Sequence, residues 1–352
     1  MIFGRKKGVI GLDIGSSSIK LVELGESKGC YKLLNLGMSP LPPEAIVDGA
    51  LMDSVTIIET IRGLIKSTKV KTKDVITSVS GHSVIVKKIS LPTMSEAELE
   101  ESIHWEAERY IPFDINDVNL DFQIFGASPS SPELMDVVLV AAKKDIINDY
   151  VSVIIEAGLN PVIIDVDAFA IENMFSVNYE VEKDETVALV DVGASITNMN
   201  ILKNNMTAFT RDIFKGGNQI TEEIQKQLHI DYEEAEKIKV GSKLDPASSP
   251  IVQEVLREAS ESLAVEIGNS IDFYQSTTTY EKISKLYLSG GSSKIREFDI
   301  VLQQHIGIPV EIVNPFKNIE YNEKNFEIEY LREIGPMMAV GVGLATRKVG
   351  DR

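Results

Sequence analysis

One phrase occurs twice in this chain. Val9-Ile10-Gly11-Leu12-Asp13-Ile14-Gly15-Ser16-Ser17-Ser18 returns in altered form as Val187-Ala188-Leu189-Val190-Asp191-Val192-Gly193-Ala194-Ser195. Each copy is an apolar run that ends in an aspartate, one apolar residue, a glycine and small residues able to turn. An extended apolar pattern then resumes, at Ile19, Leu21 and Val22 in the first copy and at Met199 and Ile201 in the second. A turn of Gly and Ser presents backbone N–H groups without side-chain bulk, a nest for phosphate oxygens. An aspartate beside each nest suits a hydrated metal ion seated on those phosphates. Two such turns face to face clamp a nucleotide from both sides.

A single Asp-x-Gly-x-Ser turn reads as readily as an ordinary β-hairpin. Internal repetition marks a repeated structural unit. A third glycine turn, Ser289-Gly290-Gly291-Ser292-Ser293, follows the apolar run Lys285-Leu286-Tyr287-Leu288 and is expected to open a helix through Ile295, Phe298 and Leu302. A helix N-terminus there favours an anion.

At 352 residues the chain is too long for one ordinary core and is expected to form two lobes. A formal net charge of −18 opposes a general nucleic-acid or anionic-membrane surface, yet leaves room for ATP in a cleft of backbone donors with Mg²⁺. The lone Cys30 excludes an internal disulfide framework and fits a reducing compartment. His82, His104, His229 and His305 have no metal-ligand spacing. Arg5, Lys6 and Lys7 are followed by no apolar signal region, no run is long enough to span a bilayer, and residues 345–352 are too short and polar for a membrane-surface helix. The expected location is cytoplasmic.

Periodicity organises the rest. Residues 54–65 carry a helical period and 75–79 a strand. Residues 84–89 read as a strand, Ser95 with Glu98 as a capping box for a helix faced by Leu99, Ile103 and Ala107, 120–125 and 137–142 as strands parted by a Pro/Ser loop at 128–132, and 146–155 as a helix stopped by Gly158. This block looks like an insertion subdomain. A strand at 161–165 and a helix from 168 precede the second phrase. Helices at 220–228 and 232–239, a second Pro/Ser loop at 246–250, and a long amphipathic helix from Val252 to Ile271 follow it. Gly341 and Gly343 lie in a final helix where glycine permits close approach.

The order of these phrases resembles the actin-like ATPase superfamily, as 13–20, 167–175, 191–198, 289–295 and 337–345: first phosphate loop, connecting helix, second phosphate loop, adenosine loop and closing helix. The resemblance implies an α/β, two-lobe ATPase fold with duplicated mixed sheets flanked by helices and an insertion subdomain of the FtsA type. It divides the chain into a first lobe (1–84 and 159–182, with 337–352 packed on it), the insertion (85–158), a second lobe (183–215 and 281–336) and its helical subdomain (216–280). Within that group Gly11 to Leu24 and Glu108-Arg109-Tyr110-Ile111-Pro112-Phe113-Asp114 look most like the PilM family of the type IV pilus inner-membrane platform.

Carried over by position, the resemblance implies that Gly15, Ser16, Ser17, Ser18 and Lys20 hold the β- and γ-phosphates of ATP, with Gly193, Ala194 and Ser195 closing from the other side. Asp13, Asp167 and Asp191 hold Mg²⁺ through waters. Gly216, Gly217, Glu236 and Lys239 border ribose and adenine, with Gly290, Gly291 and Ser292 at the other edge. Glu236 and Lys239 read equally as a solvated helix face. Where actin positions water with Gln and His, this chain offers Asp167 as the catalytic candidate and Asn198, a poor base, which implies binding with slow hydrolysis at most. The implied partner is the cytoplasmic N-terminal segment of PilN, seated between the insertion and the first lobe and tethering the chain to the inner membrane. Contact with other pilus platform and motor proteins stays open. Two other functions compete: a filament-forming FtsA-like protein, and a small-molecule kinase or phosphatase, for which no acceptor pocket is apparent.

Overall fold

The repeated phrase folds into the same hairpin twice. Ile10–Ile14 runs antiparallel to Ser18–Ser27 with Asp13 opposite Lys20, and Thr186–Val192 runs antiparallel to Thr197–Lys203 with Asp191 opposite Asn198. The computed structural model describes residues 8–128, 131–241, 249–278 and 281–350. Arg5, Lys6 and Lys7 lie outside the described residues, as do 129–130 and 246–248 of the two Pro/Ser loops and the last two residues of the tail.

Each hairpin nucleates a mixed sheet of the same winding. Cys30–Pro40, Ser18–Ser27, Ile10–Ile14, Asp74–Val79 and Asn160–Val166 lie side by side in that order, and Ile319–Glu320 joins the Cys30–Pro40 edge to make six strands. Met206–Ile213, Thr197–Lys203, Thr186–Val192, Lys285–Ser289 and Val310–Ile312 repeat the order as a five-stranded sheet. In both, a three-strand antiparallel meander is followed by two parallel strands reached through helical crossovers.

Two helices lie between the sheets. Asp167–Asn178 and Ala339–Thr346 bury Ala170, Ile171, Phe175, Val342 and Leu344 in one core with Val22 and Ile76 of the first sheet and Val187 and Leu189 of the second. They touch backbone to side: a Cβ on Gly343 would sit 1.7 Å from the Ala170 carbonyl oxygen, so glycine is required there. The outer face of the first sheet is covered by Ser54–Thr68 and Lys144–Glu156, that of the second by Gly217–Leu228, Tyr232–Lys239, Ser249–Thr277 and Phe298–Ile306.

A separate three-stranded antiparallel sheet, ordered Val84–Pro92, Ser131–Lys143, Val118–Ser128, packs against the helix Glu96–Ala107. That helix begins with the capping box read from Ser95 and Glu98, both reciprocal bonds being formed. The helix Lys144–Glu156, grouped with this block in the sequence, instead turns Tyr150, Val153 and Ile154 into the core of the first sheet. Periodicity identifies an apolar face and leaves its partner unspecified.

A second element differs from expectation. The third glycine turn does not open a continuous helix: Gly291–Lys294 is a 3₁₀ turn, and the α-helix starts only at Phe298 after Glu297 takes a left-handed φ of 62°. Gly290 N–H donates to the Pro336 carbonyl at 2.8 Å, so the N–H groups that the short turn presents begin at Gly291, with no long helix behind them.

Candidate functional site

The two hairpin turns face one another across a cavity of about 320 Å³. Gly15 N–H donates to the Ser18 carbonyl at 3.2 Å, and Gly193 N–H to the Ile196 carbonyl at 3.0 Å, which tightens both turns. Asp13, Gly15, Ser16, Ser17, Ser18 and Lys20 line one wall; Asp191, Gly193, Ala194, Ser195 and Asn198 line the other. Asp167, first residue of the helix between the sheets, lines it too, as do Gly290, Gly291, Ser292, Glu236 and Lys239. Gly216 and Gly217 stand directly behind this wall: Gly217 N–H donates to the Gly193 carbonyl at 3.0 Å, and a Cβ there would meet Ser292 Oγ at 2.4 Å and Lys239 Nζ at 2.9 Å.

The third turn is fitted to the second. Gly290 holds a φ of 87°, and a Cβ on it would fall 2.3 Å from the Val192 carbonyl oxygen, so no other residue fits without a shift. Ser289 Oγ donates to Asp191 at 2.7 Å and Ser292 Oγ to the Gly193 carbonyl at 2.9 Å. Lys239, 4% exposed, donates to Glu236 at 2.7 Å and to the Gly217 carbonyl at 3.1 Å. A solvated face is therefore ruled out for this lysine. Burial draws its ammonium below the usual lysine range, with Glu236 resisting.

Electrostatics set this cavity apart. Burial pushes Asp167 up to about 7, with the Asp13 charge adding to it and hydrogen bonds from Ser78 and Ser80 opposing. Burial likewise lifts Asp191 to about 6 against the Ser289 hydroxyl and Lys20. Lys20 bonds Asp13 at 2.9 Å; burial lowers its pKa, but Asp13, Asp191 and Asp167 together outweigh that and hold it above the ordinary value. Three carboxylates thus face one ammonium. Ser18 Oγ is buried with no hydrogen-bond partner. Excess negative charge beside exposed turn N–H groups and an orphaned hydroxyl suits a polyphosphate accompanied by a divalent cation. Among the described residues no three His, Cys, Asp or Glu side chains converge to ligate an ion directly.

Sequence reasoning missed Asp212. Its carboxylate accepts from the Asn198 amide at 2.9 Å and from Gly81 N–H at 2.7 Å, joining the second sheet to the loop after Asp74–Val79. Beside it the His82 and Phe214 rings stack at 3.4 Å between centroids. The signal lay in register: Asp212 pairs with Asn198 on the neighbouring strand, as Met38 pairs with Lys20.

A second concavity, about 570 Å³, opens between the three-stranded sheet and the first lobe. Phe122, Phe125, Val138 and Val140 form one side, and Ile163, Ile164 and Phe169 the other. Asn160–Val166 and Val118–Ser128 are edge strands of their sheets, so the groove is flanked by backbone able to pair with an added chain. Asp165, bonded to Arg347 at 2.8 Å, lies at its floor.

The family model described as type IV pilus assembly protein PilM matches residues 11–349. The chain belongs to the PilM family. This PilM-family chain is 30% identical to a chain of the solved PilM–PilN type IV pilus biogenesis complex, covering 99% of itself and 100% of that chain with a TM-score of 0.86. It is 24% identical over 330 residues to the cell division protein FtsA of Neisseria meningitidis serogroup B, covering 86% of this chain and 75% of the relative. MreB5 of Spiroplasma citri, solved bound to ADP, is 14% identical, with 96% and 95% coverage and a TM-score of 0.53. That last likeness speaks for the fold alone, which is the actin-like ATPase fold with mixed sheets flanked by helices. No helix of the described residues is long and apolar enough to cross a membrane.

Proposed function

We propose that this PilM-family protein is a cytoplasmic, nucleotide-responsive scaffold of type IV pilus assembly. It takes ATP with Mg²⁺ in the cavity between the hairpin turns and the N-terminal cytoplasmic segment of PilN in the second groove. The observation that carries the nucleotide half is the mirrored pair, Asp13 and Asp191, lining one cavity from two hairpins. Gly15, Ser16, Ser17, Ser18 and Lys20 hold the phosphates from one side and Gly193, Ala194 and Ser195 from the other. Asp13, Asp167 and Asp191 hold the hydrated cation, which supplies charge neutralisation of the phosphates. Gly216, Gly217, Glu236, Lys239, Gly290, Gly291 and Ser292 border the nucleoside.

The chemistry favours retention over turnover. Asp167 has a pKa pushed up to about 7 by burial, so it is able to orient or accept a proton from water. Asn198 already donates its amide to Asp212 and is no base. Slow hydrolysis follows, with the membrane reached through the partner.

The PilN half rests on family membership, on the 30% identity to the PilM–PilN complex and on the groove between two sheet edges. A pull-down with the N-terminal PilN peptide tests it, with capture expected for the wild-type chain and lost in Phe169→Asp, whose side chain lines the groove. No capture with or without ATP-Mg²⁺ ends this reading.

A further inference from the structure

The lining of the nucleotide cavity differs in chemistry from one part to another. The second lobe supplies Glu236, Lys239 and Ser292, the border assigned above to the nucleoside. The first lobe supplies a separate group of polar residues, Gly49, Ser78, Ser80, Tyr150 and Asp167. Tyr150 belongs to the helix Lys144–Glu156, and its ring packs into the core of the first sheet with 4% of the residue exposed. Its hydroxyl is near enough to Asp167 and Asp13 that their charges, added to burial, hold the phenol above its ordinary pKa range. At neutral pH it is a donor beside carboxylates.

A buried tyrosine hydroxyl ordinarily finds a good hydrogen-bond partner. This one donates to the Gly49 carbonyl at 3.4 Å, beyond the usual range of about 2.5–3.0 Å for O–H···O, and makes no other hydrogen bond among the described residues. Gly49 turns the short hairpin between Ile46–Val47 and Ala50–Leu51 with a φ of 83°, and a Cβ on it would meet the Ser80 carbonyl oxygen at 3.1 Å. The neighbouring donors are already committed: Ser78 and Ser80 bond Asp167, and Lys20 is paired with Asp13. Tyr150 is left as an underused donor in a part of the cavity otherwise rich in acceptors.

We infer that Tyr150 is the residue by which this cavity distinguishes a nucleoside triphosphate from a diphosphate: its hydroxyl donates to an oxygen of the terminal phosphate, an acceptor that a diphosphate does not bring to this part of the cavity. The inference rests on the nucleotide reading given above. Tyr150 takes no proton in this role. It adds affinity for the third phosphate, and a hydrogen bond to a charged acceptor is worth about tenfold or more in binding.

Isothermal titration calorimetry of the full chain with ADP-Mg²⁺, and separately with a non-hydrolysable ATP analogue and Mg²⁺, tests this in the wild type and in Tyr150→Phe. The substitution keeps the ring in the core and removes one oxygen. The wild type is expected to bind the analogue about tenfold or more tighter than ADP. In the variant the ADP Kd is expected to stay at the wild-type value while the analogue's rises, so that the ratio of the two falls toward one. A variant that keeps the wild-type ratio, or that weakens both ligands equally as a purely packing role would, overturns the inference. Equal wild-type affinity for the two ligands overturns it without any variant, so the question is decided even if Tyr150→Phe does not fold; the nucleotide reading then still stands. Binding of neither ligand by the wild type overturns that reading and this inference together.

Discussion

Asp191 is 8% exposed and, with Asp167, stands in a carboxylate-rich cavity in which the Lys20 ammonium is paired with Asp13. Their pKa values, about 6 and about 7, lie above the ordinary 3.8 because burial penalises the charged forms. Both groups bind protons more tightly in the folded protein. Their contribution to stability is therefore complete below about pH 4 and is lost as pH rises through 6 to 7. Thermal scans of the ligand-free protein at pH 5.5 and pH 8 should show the loss. Asp191→Asn should raise ligand-free stability at pH 8 by on the order of 1–2 kcal/mol while removing most of the shift produced by ATP-Mg²⁺. A site that stabilises the protein when disarmed is one built for a cation. Glycines give a contrasting pair. Gly63 sits inside Ser54–Thr68 with nothing within 4 Å of an added Cβ, so Gly63→Ala should stabilise by about 0.5–1 kcal/mol. Gly343→Ala, placed 1.7 Å from a carbonyl oxygen, should cost more than about 2 kcal/mol in urea titrations.

At the scale of elements, what the sequence discloses and what it withholds separate cleanly. Both hairpins were legible because an apolar run, an aspartate and small turning residues leave few other conformations, and Ser95 with Glu98 disclosed a helix start for the same local reason. The 3₁₀ turn after Gly290 was not, since Phe298 and Leu302 keep a helical spacing whichever way the backbone reaches them. The partner of Lys144–Glu156 was hidden because an apolar stripe does not name the sheet it covers. Asp212 was hidden because its importance comes from its neighbours across the strand ladder, Asn198 and Gly81, rather than from its own surroundings in the chain. Asp212→Ala leaves a backbone N–H and an amide without their acceptor; a cost of about 1–3 kcal/mol is expected by chemical denaturation. Asp212→Asn, which retains one acceptor oxygen, should cost less. Equal losses in both would mean that charge, and not the pair of hydrogen bonds, is what this position supplies.

Across the whole molecule, two sheets, two intervening helices and a three-stranded sheet bring a cavity and a groove within one helix of each other. Ligand linkage gives this arrangement a measurable scale: free ATP-Mg²⁺ at a thousandfold its Kd should stabilise the native state by about 4 kcal/mol. An unchanged melting temperature at saturating nucleotide would remove the cavity from consideration as a binding site. The first sheet takes its outermost strand from Ile319–Glu320, and its inner face is sealed by Ala339–Thr346, although its first strand is Ile10–Ile14. During synthesis the amino-terminal strands must therefore wait, with apolar surface bare, until residues 319–346 have left the ribosome. Stalled or prematurely terminated products of this gene would be incurably sticky, and the nascent chain makes a natural client for a holding chaperone.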